Sequence, residues 1–178
     1  MVSLAIPAAI LAWVWHDNGS GGTDPTTIGT IAGTPTRAKV GSVAPDFTLP
    51  ALDGQPVTLS KLRGKPVVLT FFASWCHPCE EDMPLLQKLA ARGKVTVIGV
   101  NYQDARSDTA DFVKRLKTTF PALVEDSTSN PVAARYDVHA MPDTLFIDAQ
   151  GVVRDRVYGQ TDTSTLQTAI TSAFGSSS

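Results

Sequence analysis

Cys76 and Cys79 are the only two cysteines of the 178-residue chain, and just His77 and Pro78 separate them. Two thiols at this spacing can close a disulfide when the second lies one helical turn past the first. The segment 80–92 that follows has a helical pattern, so the pair stands where a helix begins. Orphan backbone N–H groups and the positive end of the helix dipole favour a thiolate at Cys76, lowering its pKa below the free value of about 8.5. His77 adds to this effect when protonated. Cys76 is then the attacking nucleophile and Cys79 the resolving thiol that releases a mixed disulfide. Chemistry carried by two thiols needs no cofactor.

Helical periodicity adds a third residue. At about 100° per residue from Cys79, Met83, Leu85, Leu86, Leu89 and Ala90 share one arc, and Asp82 falls inside it. Glu80 and Glu81 point away. An acid on the core side, one turn after the inner cysteine, would be desolvated, would titrate high and could exchange a proton with Cys79. The alternative keeps Asp82 at a solvated rim, serving only the helix dipole. A zinc site is disfavoured, because four ligands are needed and the chain offers no further cysteine and only His16, His77 and His139. A purely structural disulfide would close a tiny loop and constrain little of the unfolded chain.

These residues need a scaffold, and the pattern supplies one. Residues 46–49 and 56–59 flank a tight turn at Asp53-Gly54, an expected β-hairpin. A helical turn follows at 60–63. Residues 66–73 form a continuous apolar strand of the kind covered on both faces, then comes the cysteine helix, with Pro84 expected to kink it. Residues 95–101 read as a second central strand, completing a βαβ unit. Ser107 is expected to cap a helix in which Phe112, Val113, Leu116 and Phe120 recur at helical spacing. A short strand at 122–125, a short helix opened by Asn130-Pro131, a hairpin of 144–148 with 152–158 and a closing helix at 162–174 complete the order.

Composition limits the rest. With 43% hydrophobic residues and a net charge of −2, the chain suits one globular domain with an appendage, and no basic stripe marks a nucleic-acid partner. Residues 2–15 are almost unbroken apolar and include two tryptophans. Residues 1–15 therefore read as a membrane anchor or signal-like segment, short of the roughly twenty residues that span a bilayer; on one reading Met1 is not the true start and the basic flank lies upstream, with retention slightly favoured over cleavage, and the alternative is a poorly ordered or peripherally packed N-terminus. Residues 16–41, rich in Gly, Thr, Ser and Pro, read as a flexible tether. The folded domain is expected over 42–178. An apolar leader with a paired-cysteine domain suits an oxidising, extracytoplasmic compartment.

Several motifs occur in order: Asp46-Phe47-Thr48-Leu49, Leu62-Arg63-Gly64-Lys65-Pro66, Phe72-Ala73-Ser74-Trp75-Cys76, residues 99–104 and residues 141–148. Together they resemble the TlpA/ResA/DsbE (CcmG) group of thiol-disulfide oxidoreductases over residues 42–175. The resemblance implies an α/β thioredoxin-like fold with an N-terminal β-hairpin and a central helical insert. It implies catalytic roles for Cys76, Cys79 and Asp82, and places Pro142 as a cis-proline opposite the dithiol. Trp75, His77, Pro78 and Met141 would then meet substrate, with the Met141 backbone pairing to an incoming segment. From sequence alone, Pro142 could equally be a trans proline opening a strand. The chain departs from the group's usual pattern at Ala140, commonly Gly, and at Asp143, frequently Thr, although an acid there is similar to the DsbE branch.

The resemblance further implies a reductase of protein disulfides, such as the C-x-x-C-H segment of an apocytochrome c, recharged by a membrane electron donor of the CcdA/DsbD kind. A disulfide-forming oxidant of secreted proteins uses the same chemistry in reverse. A peroxidase would require Pro at position 69 and Thr at position 73, where the chain has Leu69 and Ala73. A non-enzymatic binding module is the fourth reading.

Overall fold

The computed structural model describes residues 37–125 and 130–175, which belong to one compact unit spanning Pro35–Ser178. Thr48–Pro50 (β1) and Pro56–Thr58 (β2) pair antiparallel. Gly54, at φ +86°, makes the left-handed step of the turn between them. After a 3₁₀ turn at Leu59–Leu62, the chain enters Val67–Phe72 (β3), then His77–Ala91 (α1), Thr96–Asn101 (β4) and Arg106–Arg115 (α2). Ala122–Leu123 (β5), Pro131–Arg135 (α3), Asp143–Ile147 (β6), Val153–Tyr158 (β7) and Thr163–Phe174 (α4) complete the fold.

The five long-range strands form one sheet in the order β5-β4-β3-β6-β7. β3 runs parallel to β4 and antiparallel to β6, and β6 runs antiparallel to β7. All six residues of β3 are buried, because both sheet faces are covered. Alternation sorts its side chains into two layers. Val67, Leu69 and Phe71 join the layer holding Phe47, Val132, Tyr136 and Leu145; Val68 and Phe72 join Phe146 of β6 and Met83, Leu86, Phe112 and Leu166 from α1, α2 and α4. Each such fully buried side chain contributes roughly 1.5–3 kcal/mol. The one polar residue of β3, Thr70, is satisfied across the strand pair by the Thr144 hydroxyl at 3.0 Å.

Both sheet edges carry covers. At the β5 edge, Leu52 N–H donates to Ala122 O (3.0 Å) and Val124 N–H to Pro50 O (2.8 Å). At the β7 edge, Gly41 N–H donates to Val153 O (2.7 Å) and Val153 N–H to Ser42 O (2.9 Å). Attachment to the fold begins before residue 42: Ala38 is buried and donates its N–H to Arg135 O. Residues 1–36, which hold the expected anchor and most of the tether, lie outside the described residues.

Two details of α2 differ from the sequence expectation. The cap position is Ala105, without a side-chain cap bond, while the Ser107 hydroxyl bonds the Asp108 carboxylate. The helix also ends at Arg115 rather than running to Phe120, because Lys117 turns left-handed at φ +54°. Phe120 is buried all the same, reached from the following loop. An apolar residue at helical spacing had the same neighbours without sharing the helix. α1 is continuous from His77 to Ala91 with Pro84 inside it.

Candidate active site

The C-terminal end of β3 delivers the chain through Ala73-Ser74-Trp75 to Cys76, the N-cap residue of α1. Cys76 and Cys79 are joined as a disulfide, with Cα atoms 5.3 Å apart. Cys79 N–H donates to Cys76 Sγ at 3.2 Å. The sulfur thus occupies the place of a capping oxygen, where first-turn N–H groups and the helix dipole stabilise negative charge. Both cysteines are almost fully buried. Pro78 occupies the second helical position, where a missing N–H costs nothing.

Asp82 is only 2% exposed, which places it on the core side rather than at a solvated rim. Its Oδ1 accepts from Thr161 N–H at 2.9 Å, and among the described residues Oδ2 has no hydrogen-bond partner. Burial lifts its pKa to about 6; the Thr161 N–H opposes this, and the neighbouring Glu81 charge adds a smaller push upward. A carboxyl that titrates near neutrality can both take and return a proton.

The Met141–Pro142 peptide bond is cis. Because β6 is antiparallel to β3, with Asp143 paired to Phe71, Pro142 stands at the sheet end from which the dithiol loop emerges. Gly159 N–H donates to Pro142 O at 2.8 Å. Met141, half-buried, packs against both core layers, including the layer that holds the two cysteines. Trp75 is 60% exposed, with its indole N–H directed at Gln103 O at 3.4 Å. His77 and Pro78 are exposed, and the His77 Nε2 lies 3.6 Å from Glu81 Oε1. His139, also exposed, lies 3.2 Å from the Asp137 carboxylate.

Two supporting arrangements were not legible in the sequence. Asp143 is fully buried and meets Arg156 Nε at 2.8 Å, while Arg156 Nη2 also reaches Asp137 O at 3.2 Å. The guanidinium thereby ties both ends of the segment 137–143 that presents Met141. Burial raises the Asp143 pKa and the Arg156 contacts pull against it. On the other side of the dithiol, the Asp104 carboxylate accepts from Ser74 N–H (2.8 Å) and the Ser74 hydroxyl (2.9 Å). These partners are distant in sequence, and no local pattern announces them.

A buried cysteine pair at a helix N-terminus, at the end of a central strand and beside a cis-proline segment, defines a thioredoxin-like thiol-disulfide oxidoreductase. The chain belongs to the AhpC/TSA family, whose model matches residues 40–156, and within it to the ResA/DsbE type of thiol-disulfide oxidoreductase. It is 36% identical to the thiol-disulfide oxidoreductase ResA of Geobacillus kaustophilus over 127 residues, covering 70% of this chain and 72% of that protein. To the thiol:disulfide interchange protein DsbE of Pseudomonas fluorescens it is 34% identical over 124 residues, 69% of this chain and 68% of the relative. Its fold is similar to the crystal structure of a secreted Mycobacterium tuberculosis disulfide oxidoreductase homologous to Escherichia coli DsbE, with a TM-score of 0.62 and 29% identity over 70% of this chain and 93% of that one. Leu69 and Ala73, where a peroxidase would need Pro and Thr, are fully buried apolar residues.

Proposed function

We propose that the protein is an extracytoplasmic, membrane-tethered reductase of protein disulfides, with the oxidised C-x-x-C-H segment of an apocytochrome c as a fitting substrate. The carrying observation is the buried Asp82, held near neutrality one helical turn after Cys79. The Cys76 thiolate attacks one sulfur of the substrate disulfide, forming a mixed disulfide and expelling one substrate thiolate. Cys79 passes its proton to ionised Asp82 and attacks Cys76 Sγ, expelling the second substrate thiolate. Two electrons have then moved from the protein dithiol to the substrate, which leaves as a dithiol once protonated. A membrane electron donor of the CcdA/DsbD kind restores the pair.

In this reading Trp75, His77, Pro78 and Met141 meet the substrate, and Pro142 fixes the segment that offers the Met141 backbone. Two features support the location: the apolar residues 2–15 of the sequence, and a relative that is secreted. Among the described residues, no helix is long and apolar enough to cross a membrane.

The deciding experiment equilibrates the Cys76–Cys79 pair against glutathione and dithiothreitol buffers with alkylation trapping. A reduction potential near about −270 mV supports the reductase; one near about −120 mV instead makes the protein an oxidant of secreted thiols.

A further inference from the structure

The loop that carries the nucleophile is held by a chain of buried and half-buried polar groups. Ser74, two residues before Cys76, gives both its N–H and its hydroxyl to Asp104. Asp104 Oδ2 also accepts from the Thr109 hydroxyl at 3.2 Å. Asn101, with no exposed surface, donates to Asp104 O (2.9 Å) and accepts from Glu125 N–H (2.7 Å). Glu125 in turn accepts from Val132 N–H at the start of α3. Gln103, left-handed at φ +47°, turns its carbonyl to the Trp75 indole. One short connection, residues 101–104 between β4 and α2, therefore sets the position of Ser74 and Trp75 from the side.

The connection also delivers charge. Two other acids near the dithiol are paired with guanidinium groups, Glu80 with Arg115 and Asp143 with Arg156, while Glu81 lies half-exposed beside His77 and the Gln160 amide. Asp82 is buried and titrates near 6. Among the described residues, the donors that reach the Asp104 carboxylate are neutral, namely the Ser74 N–H and the Ser74 and Thr109 hydroxyls. Its negative charge is not cancelled by the groups that bind it, and two of its three bonds run to the residue two positions from Cys76. A fixed negative charge at that place disfavours the Cys76 thiolate. Destabilising the thiolate destabilises the reduced form relative to the disulfide, which makes the pair a stronger reductant.

We infer that Asp104 is a positioning residue of the dithiol site, which fixes the Ser74-Trp75-Cys76 loop and holds the Cys76–Cys79 couple on the reducing side. The inference rests on the working dithiol of the proposed function, but not on which direction it runs in the cell.

The test measures the reduction potential and the pH profile of Cys76 alkylation in the full chain, for the parent and for Asp104→Asn, Asp104→Glu and Ser74→Ala. Asp104→Asn keeps an oxygen for the Ser74 N–H and removes the charge. It is expected to shift the dithiol–disulfide equilibrium about tenfold toward the dithiol, a potential rise of about 30 mV for this two-electron couple, and to move the alkylation midpoint to lower pH. Asp104→Glu keeps the charge and should keep the parent potential. Ser74→Ala loses one hydrogen bond and should leave the dithiol–disulfide equilibrium constant within a few-fold of the parent. If Asp104→Asn does not fold, Asp104→Ser, whose hydroxyl can still accept from Ser74, is read in the same way. A parent potential retained in the charge-removing variant, with only thermal stability lowered, overturns the inference. A parent potential in the oxidant range overturns the reductase reading, while the difference between parent and variant still decides the role of Asp104.

Discussion

Asp82 carries two opposing consequences, one for chemistry and one for stability. Its pKa of about 6 in the fold lies above the free value of about 3.9, so between about pH 4 and pH 6 the folded chain binds more protons than the unfolded one. Stability therefore falls as pH rises through that window, and ionised Asp82 is a cost above it. Asp82→Asn, which keeps an acceptor for Thr161 N–H, should flatten this dependence and be more stable than the parent at pH 8 by about 3 kcal/mol in denaturant unfolding. The same variant should slow dithiol turnover near neutral pH; unchanged pH-rate profiles for both oxidation and reduction would remove the proton-exchange role. A second expectation concerns the cysteines. Cys79→Ser should accumulate a mixed disulfide with substrate, visible on a non-reducing gel, whereas Cys76→Ser should form none. The cysteine pair and the inward acid were readable because they obey a local rule, the spacing of a helix face. Asp104 was visible only as part of a motif, because its partners at Ser74 and Thr109 meet through the folded connection and not through periodicity.

At the level of elements, apolar runs located β3 and β4, turn chemistry the opening hairpin, and helical spacing α4, each to within a residue or two. Continuous burial explains why: a strand covered on both faces leaves an unbroken apolar run that few other elements produce. The end of α2 was lost because a left-handed residue, Lys117, stops the helix while Phe120 still reaches the core. The Asp143–Arg156 pair was lost for another reason, since each residue alone looks like ordinary strand polarity. Its burial makes a firm prediction. Asp143→Leu strands a guanidinium that is only 7% exposed and should cost about 3–5 kcal/mol in denaturant unfolding, while Asp143→Leu combined with Arg156→Met should recover most of it. Failure of the double variant to recover would mean that the pair holds the 137–143 segment in a way that apolar packing cannot. Within β4, a Cβ on Gly99 would lie 2.8 Å from the Phe72 ring, so Gly99→Ala should destabilise by about 1–3 kcal/mol.

Across the whole molecule, the residues between Ala38 and Ala44 serve the fold as well as leading into it. Ala44 N–H donates to Gly151 O at 2.9 Å, extending the contacts made by Ala38, Gly41 and Ser42. A chain beginning at residue 37 should keep full dithiol activity in solution, whereas one beginning at residue 46 should lose stability measurably in a thermal melt. The covers on the two sheet edges carry a further consequence. A bare strand edge is a template for another chain, and self-templating is how native sheets become insoluble. Proteolytic nicking between residues 38 and 45 would peel the cover from Val153 and offer that edge to any neighbour. The damaged product would then be lost from solution by association rather than by unfolding, with light scattering rising steeply with protein concentration while the core remains intact.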